Sequence, residues 1–368
     1  MFKDYDVRVL PTLVFLDGGG NMVDRHMGYL SRSGFLERGM LAITRQDAIQ
    51  RALADLEQSG SDSALKRREL ADAYRNLMQY PEALEHYAWC MDEGRKADPA
   101  ALDDRNALLQ GLCELGDLYD PAGEVVKGYL AAAKGRLAAG GDDLGQMLQD
   151  ASDVLEINVN LEGERDTLKF HKSLRKSPDT QRQANALVAV GLSRPLNESR
   201  QGRKLEPAQL TDAMRMLTED RARRRSSADP ADISNDTYLF ALDLLFSRRG
   251  TDLYSVALAR GHDKAADLIA DYLLAELDSA LVASRLAKAG LDSGNPTARH
   301  QEWAWHAVDA DPHSWQSLVT LARILAERGQ VELGKKMLRE GLDELYDYLD
   351  DRGVRGIEEA VKELASTR

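Results

Sequence analysis

The chain has 368 residues, 43% of them hydrophobic and 30% charged, with two cysteines and a net charge of −13. This acidic balance disfavours nucleic-acid binding, because phosphate contacts need clustered positive charge, and two cysteines are too few for a disulfide framework or a structural zinc site. No apolar stretch approaches the ~20 residues that span a bilayer. The composition predicts a soluble, folded, mainly helical protein.

The first predicted elements are two strands joined by a tight turn. Residues 13–16 form a continuous apolar run, which is typical of a strand buried on both faces. Pro11 fits the first residue of that strand or a bulge, because proline cannot donate to a sheet ladder. The glycine-rich residues 17–21 predict a hairpin turn into a more polar, edge-type strand over residues 22–27.

A helix is predicted directly after this hairpin. Ser31 or Ser33 can cap it. A lone hairpin is marginal in water, so we expect this segment to borrow a surface from the helical part of the chain or from another chain. The apolar positions predicted for the helix are Phe35, Leu36, Met40 and Ile43.

Strand, tight turn, strand and helix, in this order, resemble the second half of a thioredoxin domain. The resemblance covers residues 3–43, where the Leu10-Pro11 pair, the turn and Gly28 fall at the spacing of that family. It implies that the Leu10-Pro11 peptide bond is cis, a form found in ~5% of X-Pro bonds. It also implies that Leu10 and Pro11 line a surface that holds an extended substrate backbone.

The redox half of such a domain is missing. Thiol-disulfide exchange needs two close thiols, one with a depressed pKa, whereas Cys90 and Cys113 are 23 residues apart and follow the thioredoxin-like segment. We expect no catalytic residue and no catalysis from this chain alone. The preferred explanation is a reading frame in which Met1 is an internal methionine and the Cys-x-x-Cys half lies upstream. The alternative is an ordinary hairpin and helix that never carried redox cysteines.

Helical periodicity replaces strands from residue 42 onward, in segments of 12 to 18 residues. The best-defined stretch, residues 70–90, resembles a tetratricopeptide repeat (TPR), in which small residues let two helices approach and large ones fill the groove between them. It departs from the family pattern at Arg67, where tryptophan is usual, and at Arg95, where proline is usual. The matching positions are Leu70, Ala71 and Tyr74 on the first helix and Ala83, Tyr87 and Cys90 on the second.

Similar repeats are predicted elsewhere. Residues 307–312 resemble the end of one repeat and residues 317–342 the next, with Gly329 between the two helices. Residues 106–137 form a degenerate version. We interpret residues 193–207 as a loop, followed by a helix over residues 206–225.

The predicted fold class is therefore mainly α: a TPR-like α-solenoid with a small N-terminal β-hairpin plus helix. Its predicted domains are a partial thioredoxin-like domain over residues 1–45, TPR-like repeats over residues 46–192, and divergent helical repeats over residues 193–368 that end in TPR-like units. In such stacked repeats, the stability of the array is approximately the sum of the stability of each repeat and of the interfaces between neighbouring repeats.

No metal, cofactor or nucleophile motif is recognisable. No histidine pair has a helix-based metal-binding spacing, and no nucleophile elbow or phosphate-binding loop is present. The basic run of residues 221–225 is interpreted as a solvated helix end that complements the helix dipole, rather than as a phosphate site. The histidines are His26, His86, His171, His262, His300, His306 and His313.

Three tryptophans, Trp303, Trp305 and Trp315, lie close in sequence and precede Tyr346 and Tyr348. Such residues most often form core between stacked helices. The functional alternative is an aromatic patch that captures a peptide.

These patterns favour a protein–protein interaction scaffold of the thioredoxin-like/TPR type, with a protein or peptide partner, no cofactor, no nucleic acid and no membrane span. The alternative is a fragment of a thiol-disulfide oxidoreductase whose active-site half lies upstream of Met1. A weaker third hypothesis is a regulatory enzyme subunit with its chemistry in the divergent middle. The sequence leaves open whether Met1 is the true start and whether the compartment is cytoplasmic or extracytoplasmic. It also leaves open the identity of the partner and the oligomeric state.

Overall fold

The computed structural model describes residues 11–44, 47–60, 63–94, 105–198, 205–227, 234–345, 348 and 351–366. Over these residues the chain is mainly helical, with a two-stranded antiparallel sheet before the helices. It forms two compact units, Met1–Gly135 with Glu156–Thr167, and Arg136–Leu155 with Leu168–Arg368. The predicted fold class, TPR-like helical hairpins after a small β-hairpin and helix, is confirmed.

The sheet consists of β1 (Thr12–Leu16) and β2 (Met22–Met27), with a bulge between Phe15 and Leu16. The carboxylate of Asp17 shapes the turn by accepting hydrogen bonds from the backbone N–H groups of Gly19 and Asn21, both at 2.8 Å. Phe15 is buried, but Leu16 is 38% exposed. The expected burial of this run on both faces is therefore wrong for Leu16, which lies beyond the bulge at the end of the ribbon.

The helices of the first unit follow the sheet. After Trp89 the chain continues into a π-helical turn, Cys90–Gly94, and the last three of the helices given next contribute residues to both units. The bounds are α1 (Arg32–Thr44), α2 (Ala48–Ser59), α3 (Ala64–Asn76), α4 (Tyr80–Trp89), α5 (Arg105–Leu118), α6 (Asp120–Ala139), α7 (Leu144–Asn160) and α8 (Glu164–Leu174).

Helices α3 and α4 form the hairpin predicted to resemble a TPR. Ser63 caps α3 through its side chain, and Pro81 occupies the first turn of α4, where a missing N–H costs little. The guanidinium of Arg67 lies 4.0 Å above the ring of Trp89, so a cation–π contact takes the place of the tryptophan usual at that position. The predicted packing positions Leu70, Ala71, Ala83, Tyr87 and Cys90 are all buried.

Helices joined by short turns make up the described residues of the second unit. A 3₁₀ turn, Pro178–Thr180, precedes the first helix given next, and a π-helical turn, Val188–Leu192, follows that helix. The bounds are α9 (Gln181–Leu187), α10 (Ser193–Glu198), α11 (Pro207–Ser227), α12 (Ser234–Ala259), α13 (Asp263–Glu276), α14 (Ala280–Asp292), α15 (Ala298–Ala310), α16 (Trp315–Glu327), α17 (Val331–Leu345) and α18 (Asp351–Ser366).

Two expectations for this unit have different outcomes. The helix predicted over residues 206–225 is confirmed by α11. The loop predicted over residues 193–207 is wrong at its beginning, where α10 is helical. Ser193 and Leu196 are buried there, so packing overrides the weak local helix signal of a Pro- and Gly-containing sequence.

Helices α16 and α17 form the hairpin predicted near the carboxyl end of the sequence. Gly329, with φ of +82°, makes the turn between them. A methyl group at Gly334 would lie 2.6 Å from the carbonyl oxygen of Ala322, so the close helix approach predicted from small residues is present. The buried large residues of the core cluster that these two helices share include Leu318 and Leu338.

Candidate interaction surfaces

Helix α1 is attached to the hairpin by specific contacts, and its Glu37 pairs with Arg51 of α2 at 2.9 Å. The Oγ of Ser31 accepts a hydrogen bond from the backbone N–H of Gly34 at 3.1 Å, which confirms the predicted cap. The rings of Phe35 and Phe15 are 5.6 Å apart. Arg38 pairs with Asp24 of β2 at 2.5 Å. These contacts hold one side of α1 against the sheet.

The apolar side of α1 is exposed to an unusual degree. Phe35 is 50% exposed, Leu36 58%, Met40 53% and Ile43 74%. At 3.6 residues per turn, these four positions fall within an arc of about 140°. We call these four residues the α1 surface. Sequence periodicity marks them as the apolar positions of the helix, yet each keeps half or more of its surface exposed, Phe35 despite its contact with Phe15.

The same part of the chain exposes two further large side chains. Tyr29, in the connection between β2 and α1, is 96% exposed, and Leu16 at the end of β1 is also exposed. Isolated exposed apolar residues are normal on a protein surface, whereas a cluster on one helix marks an interaction site.

Two charged residues of β2, Asp24 and Arg25, are buried. Burial raises the pKa of Asp24, although the positive charge of Arg38 opposes that shift. Arg25 donates from Nη2 to the carbonyl oxygen of Arg75 in α3, at 3.4 Å. Phe15 and Val23 pack with Ala48 of α2. The hairpin therefore borrows a surface from the following helices, as predicted.

The two residues that the thioredoxin resemblance assigns to substrate binding are only partly visible. Pro11 is exposed, and its carbonyl oxygen accepts a hydrogen bond from the N–H of Gly28 at 2.8 Å. Leu10, and with it the Leu10-Pro11 peptide bond, lies outside the described residues. The substrate-binding role of this pair stays a prediction.

The three tryptophans do not share one patch. Trp303 is buried and makes edge contacts with Tyr254 and His300, at ring distances of 6.0 and 5.4 Å. Trp315 packs where α16 meets α18, with the core residues of that contact. Trp305 is two residues from Trp303, hence on the opposite side of α15, and is partly exposed.

The tyrosines that follow these tryptophans in sequence add no larger aromatic surface. Tyr348 is exposed and contacts the ring of His313 at 4.8 Å. Tyr346 lies outside the described residues. Within the predicted aromatic patch, Trp305 is therefore the tryptophan that is partly exposed and is not part of a described core cluster.

The basic run of residues 221–225 is neutralised by acidic neighbours. Arg221 is buried, donates to Asp243 at 2.8 Å, and bonds both the carboxylate and the carbonyl oxygen of Glu276. The expectation of a solvated helix end is therefore wrong for Arg221, which ties α11 to α12 and α13. The remaining pairs are Arg223–Asp220, Arg224–Asp220 and Arg225–Asp243.

Features of a metal site, a membrane-spanning helix or a reactive thiol are absent from the described residues. No group of three or more His, Cys, Asp or Glu side chains there could hold a metal ion. None of the described helices is long and apolar enough to cross a membrane. Both cysteines are buried and neither is in a disulfide, and burial, with Asp117 and Glu114 nearby, raises the pKa of Cys113 to about 12.

No family model matches the sequence, and no curated protein matches it. Two solved structures are similar over most of the chain. One is the structure of Naa15/Naa10 bound to HypK-THB, with a TM-score of 0.24 and 14% identity over 89% of this chain and 60% of that chain. The other is the crystal structure of yeast Tom70, with a TM-score of 0.23 and 10% identity over 90% of this chain and 87% of that chain. This chain spans less than two thirds of the first. At these TM-scores neither likeness bears on function.

Proposed function

We propose that this chain is a protein–protein interaction scaffold of the thioredoxin-like/TPR type, and that a protein partner binds to the α1 surface. The observation that carries this proposal is the exposure of four large apolar side chains on one helix. The helices that follow hold the β-hairpin in place. Arg25 of the hairpin contacts α3, and the hairpin core packs on Ala48 of α2.

A helix with several exposed apolar side chains on one side is a common recognition element in protein complexes. A partner can read it with an apolar groove or with an apolar helix of its own. Leu36, Met40 and Ile43 lie at spacings of three and four residues, which is the pattern that such partners contact. Burial of these side chains would remove their apolar area from water, the main favourable term in association.

Thiol-disulfide catalysis is not part of the proposed function. A catalytic thiol needs exposure and a depressed pKa. Cys90 and Cys113 are buried, and the raised pKa of Cys113 disfavours its thiolate. These properties support a binding role rather than a redox role for the chain. Trp305 remains a second, smaller candidate for peptide contact.

Site-specific photo-crosslinking tests the proposal. A benzophenone amino acid at Met40, in the α1 surface, should give covalent adducts with a protein chain when the variant is expressed in cells. The same group at Lys127, an exposed residue of α6, serves as the matched control and should give none. Absence of intermolecular adducts at Met40, or equal adducts at both positions, would contradict a binding role for α1.

A further inference from the structure

We propose that Arg248 and Arg285 form a binding site for a phosphomonoester group, where α12 packs against α14 in the second unit. This site shares no residue with the α1 surface, and it does not depend on the proposed function. Three observations carry it: a serine rather than a carboxylate holds Arg285, a second guanidinium lies close by, and no described carboxylate forms an ion pair with either.

A serine hydroxyl positions the guanidinium of Arg285. Nη1 of Arg285, in α14, donates a hydrogen bond to Oγ of Ser247, in α12, at 3.1 Å, and Ser247 is buried. A guanidinium has five N–H donors, so this contact fixes the group while leaving most of its donors for a ligand. Arg285 is only partly buried, so a small anion can reach those donors from solvent.

Arg248 brings a second positive charge to the same place. It lies in α12 next to the serine that holds Arg285, and its side chain is exposed. Burial lowers the pKa of Arg285, and the charge of Arg248 lowers it further, against the opposing charge of Asp252. The next residue, Arg249, donates from Nη2 to Oγ of Ser152 in α7 at 3.3 Å. Positive charge is therefore concentrated on this part of α12.

Carboxylates neutralise other arginines of the second unit but not these two. Within the described part of the chain, neither Arg248 nor Arg285 makes an ion pair. The chain has 61 acidic and 48 basic side chains, so carboxylates are not scarce. Two like charges held together disfavour their charged forms, and an anionic ligand would remove that cost. The arginines that do pair include those of Arg136–Asp150, Arg221–Asp243, Arg224–Asp220 and Arg299–Asp267.

The charges and the donors together favour a dianion with several oxygens. Guanidinium groups bind phosphate oxygens through paired N–H donors in a planar fork. A phosphomonoester carries a charge of about −1.5 to −2 at pH 7, which balances two arginines, whereas a carboxylate or a phosphodiester carries a single negative charge. The net charge of −13 disfavours a long polyanion such as nucleic acid. The ligand is therefore one phosphate group, on a small molecule or on a side chain of a partner protein.

Titration of the full chain with phenyl phosphate at pH 7.5, followed by phosphorus NMR, tests this site. We expect binding with a Kd of about 1 mM or tighter, and binding at least about tenfold weaker for methyl phenyl phosphate, the monoanionic diester. A chain that does not bind phenyl phosphate at about 10 mM would overturn the proposal, and so would equal binding of the two esters.

Two variants locate the binding. Arg248→Gln changes an exposed residue and should weaken binding of phenyl phosphate at least about tenfold without a change in Tm. Arg285→Gln should weaken binding equally, and its amide can still donate to Ser247. The matched control is Arg215→Gln in α11, because this exposed arginine already pairs with two carboxylates, and it should bind as the wild type does. Undiminished binding by Arg248→Gln, or an equal loss in the control, would refute the assignment.

Two peptides distinguish the sources of the phosphate group. An alanine pentapeptide with a central phosphoserine should bind more tightly than inorganic phosphate if a partner protein supplies the group, and equally if a small molecule does, and either result supports the site. The same peptide with a central glutamate should bind at least about tenfold more weakly than the phosphoserine peptide. Equal binding of these two peptides would overturn the choice of a phosphomonoester and assign the site to acidic segments.

Discussion

The buried guanidinium of Arg25 donates a hydrogen bond to the main-chain carbonyl of Arg75, fifty residues later in the chain. Arg75 in turn donates to the carbonyl of Gly111 at 3.1 Å and pairs with Glu114 at 2.9 Å. One series of contacts thus joins the β-hairpin to α3 and α5. It explains how a two-stranded ribbon, which is marginal by itself, is held by the helices after it.

Replacing Arg25 by leucine should loosen the hairpin. The variant loses a buried hydrogen bond to a charged donor, which contributes about 1.5–3 kcal/mol to stability. Amide hydrogen exchange should accelerate in residues 11–44 while α16 and α17 stay protected. The control is Arg32→Leu, at an exposed position of α1, which should leave exchange unchanged. Equal exchange in the Arg25 variant and the wild type would show that this contact does not anchor the hairpin.

We expect the protein to lose stability in mild acid because of the environment of the His300 ring. Its Nδ1 accepts from the backbone N–H of Thr297 at 2.9 Å, so the neutral ring carries its proton on Nε2, which donates to the Tyr254 hydroxyl at 2.7 Å. Burial, with the charge of Arg299 nearby, lowers the pKa of His300. Burial also lowers the pKa of His171, to about 4.

Because both pKa values are lower in the folded chain than the ordinary value of about 6.5, the unfolded chain binds more protons below that pH. Stability should be fully present above about pH 6.5 and should fall as the pH drops toward 5. His300→Gln keeps an acceptor for the helix cap and does not titrate, so its Tm should fall less between pH 7.5 and pH 5.5. A wild-type Tm that is equal at the two pH values would contradict this assignment.

Gly290 should not tolerate any side chain. A methyl group there would lie 1.9 Å from Cδ2 of His300, where α14 packs against α15. Gly290→Ala must displace a ring fixed by two hydrogen bonds, and we expect a destabilisation of about 3 kcal/mol, at the upper end of typical overpacking costs. Urea unfolding measures it, with Gly135→Ala as the control at an open helix position. Equal midpoints for the two variants would mean that the contact relaxes without cost.

The two thiols should be inert in the folded protein. Cys90 and Cys113 are buried in one hydrophobic cluster of the first unit, and the thiolate of Cys113 is disfavoured by its raised pKa. Titration with dithionitrobenzoate should detect less than about 0.1 thiol per chain in buffer at pH 8 and two in guanidinium. Rapid reaction of either thiol in buffer would argue against this packing.

Local patterns made much of the fold predictable. The contact between α3 and α4 was predictable because large and small residues recur along the sequence at the spacing of packed helices. Four of these residues, Leu70, Ala71, Ala83 and Tyr87, are buried. The N-cap at Ser31 is likewise a local signal. The helix over Ser193–Glu198 was missed because burial, rather than propensity, stabilises it.

Long-range relationships were not predictable. A polar strand such as β2 indicates a solvated edge, and nothing near Arg25 in the sequence identifies its partner Arg75. The α1 surface was found as an apolar stripe, but an apolar stripe has the same sequence whether the chain covers it or leaves it exposed.

The proposed function requires that a protein partner covers α1 in the cell. Oxidative footprinting of Met40, which is 53% exposed, tests this claim directly. Dilute purified chain should be oxidised readily at Met40, whereas chain in a concentrated native extract should be protected severalfold, with the partly buried Met78 reacting equally in both. Equal oxidation of Met40 in the two preparations would contradict the account.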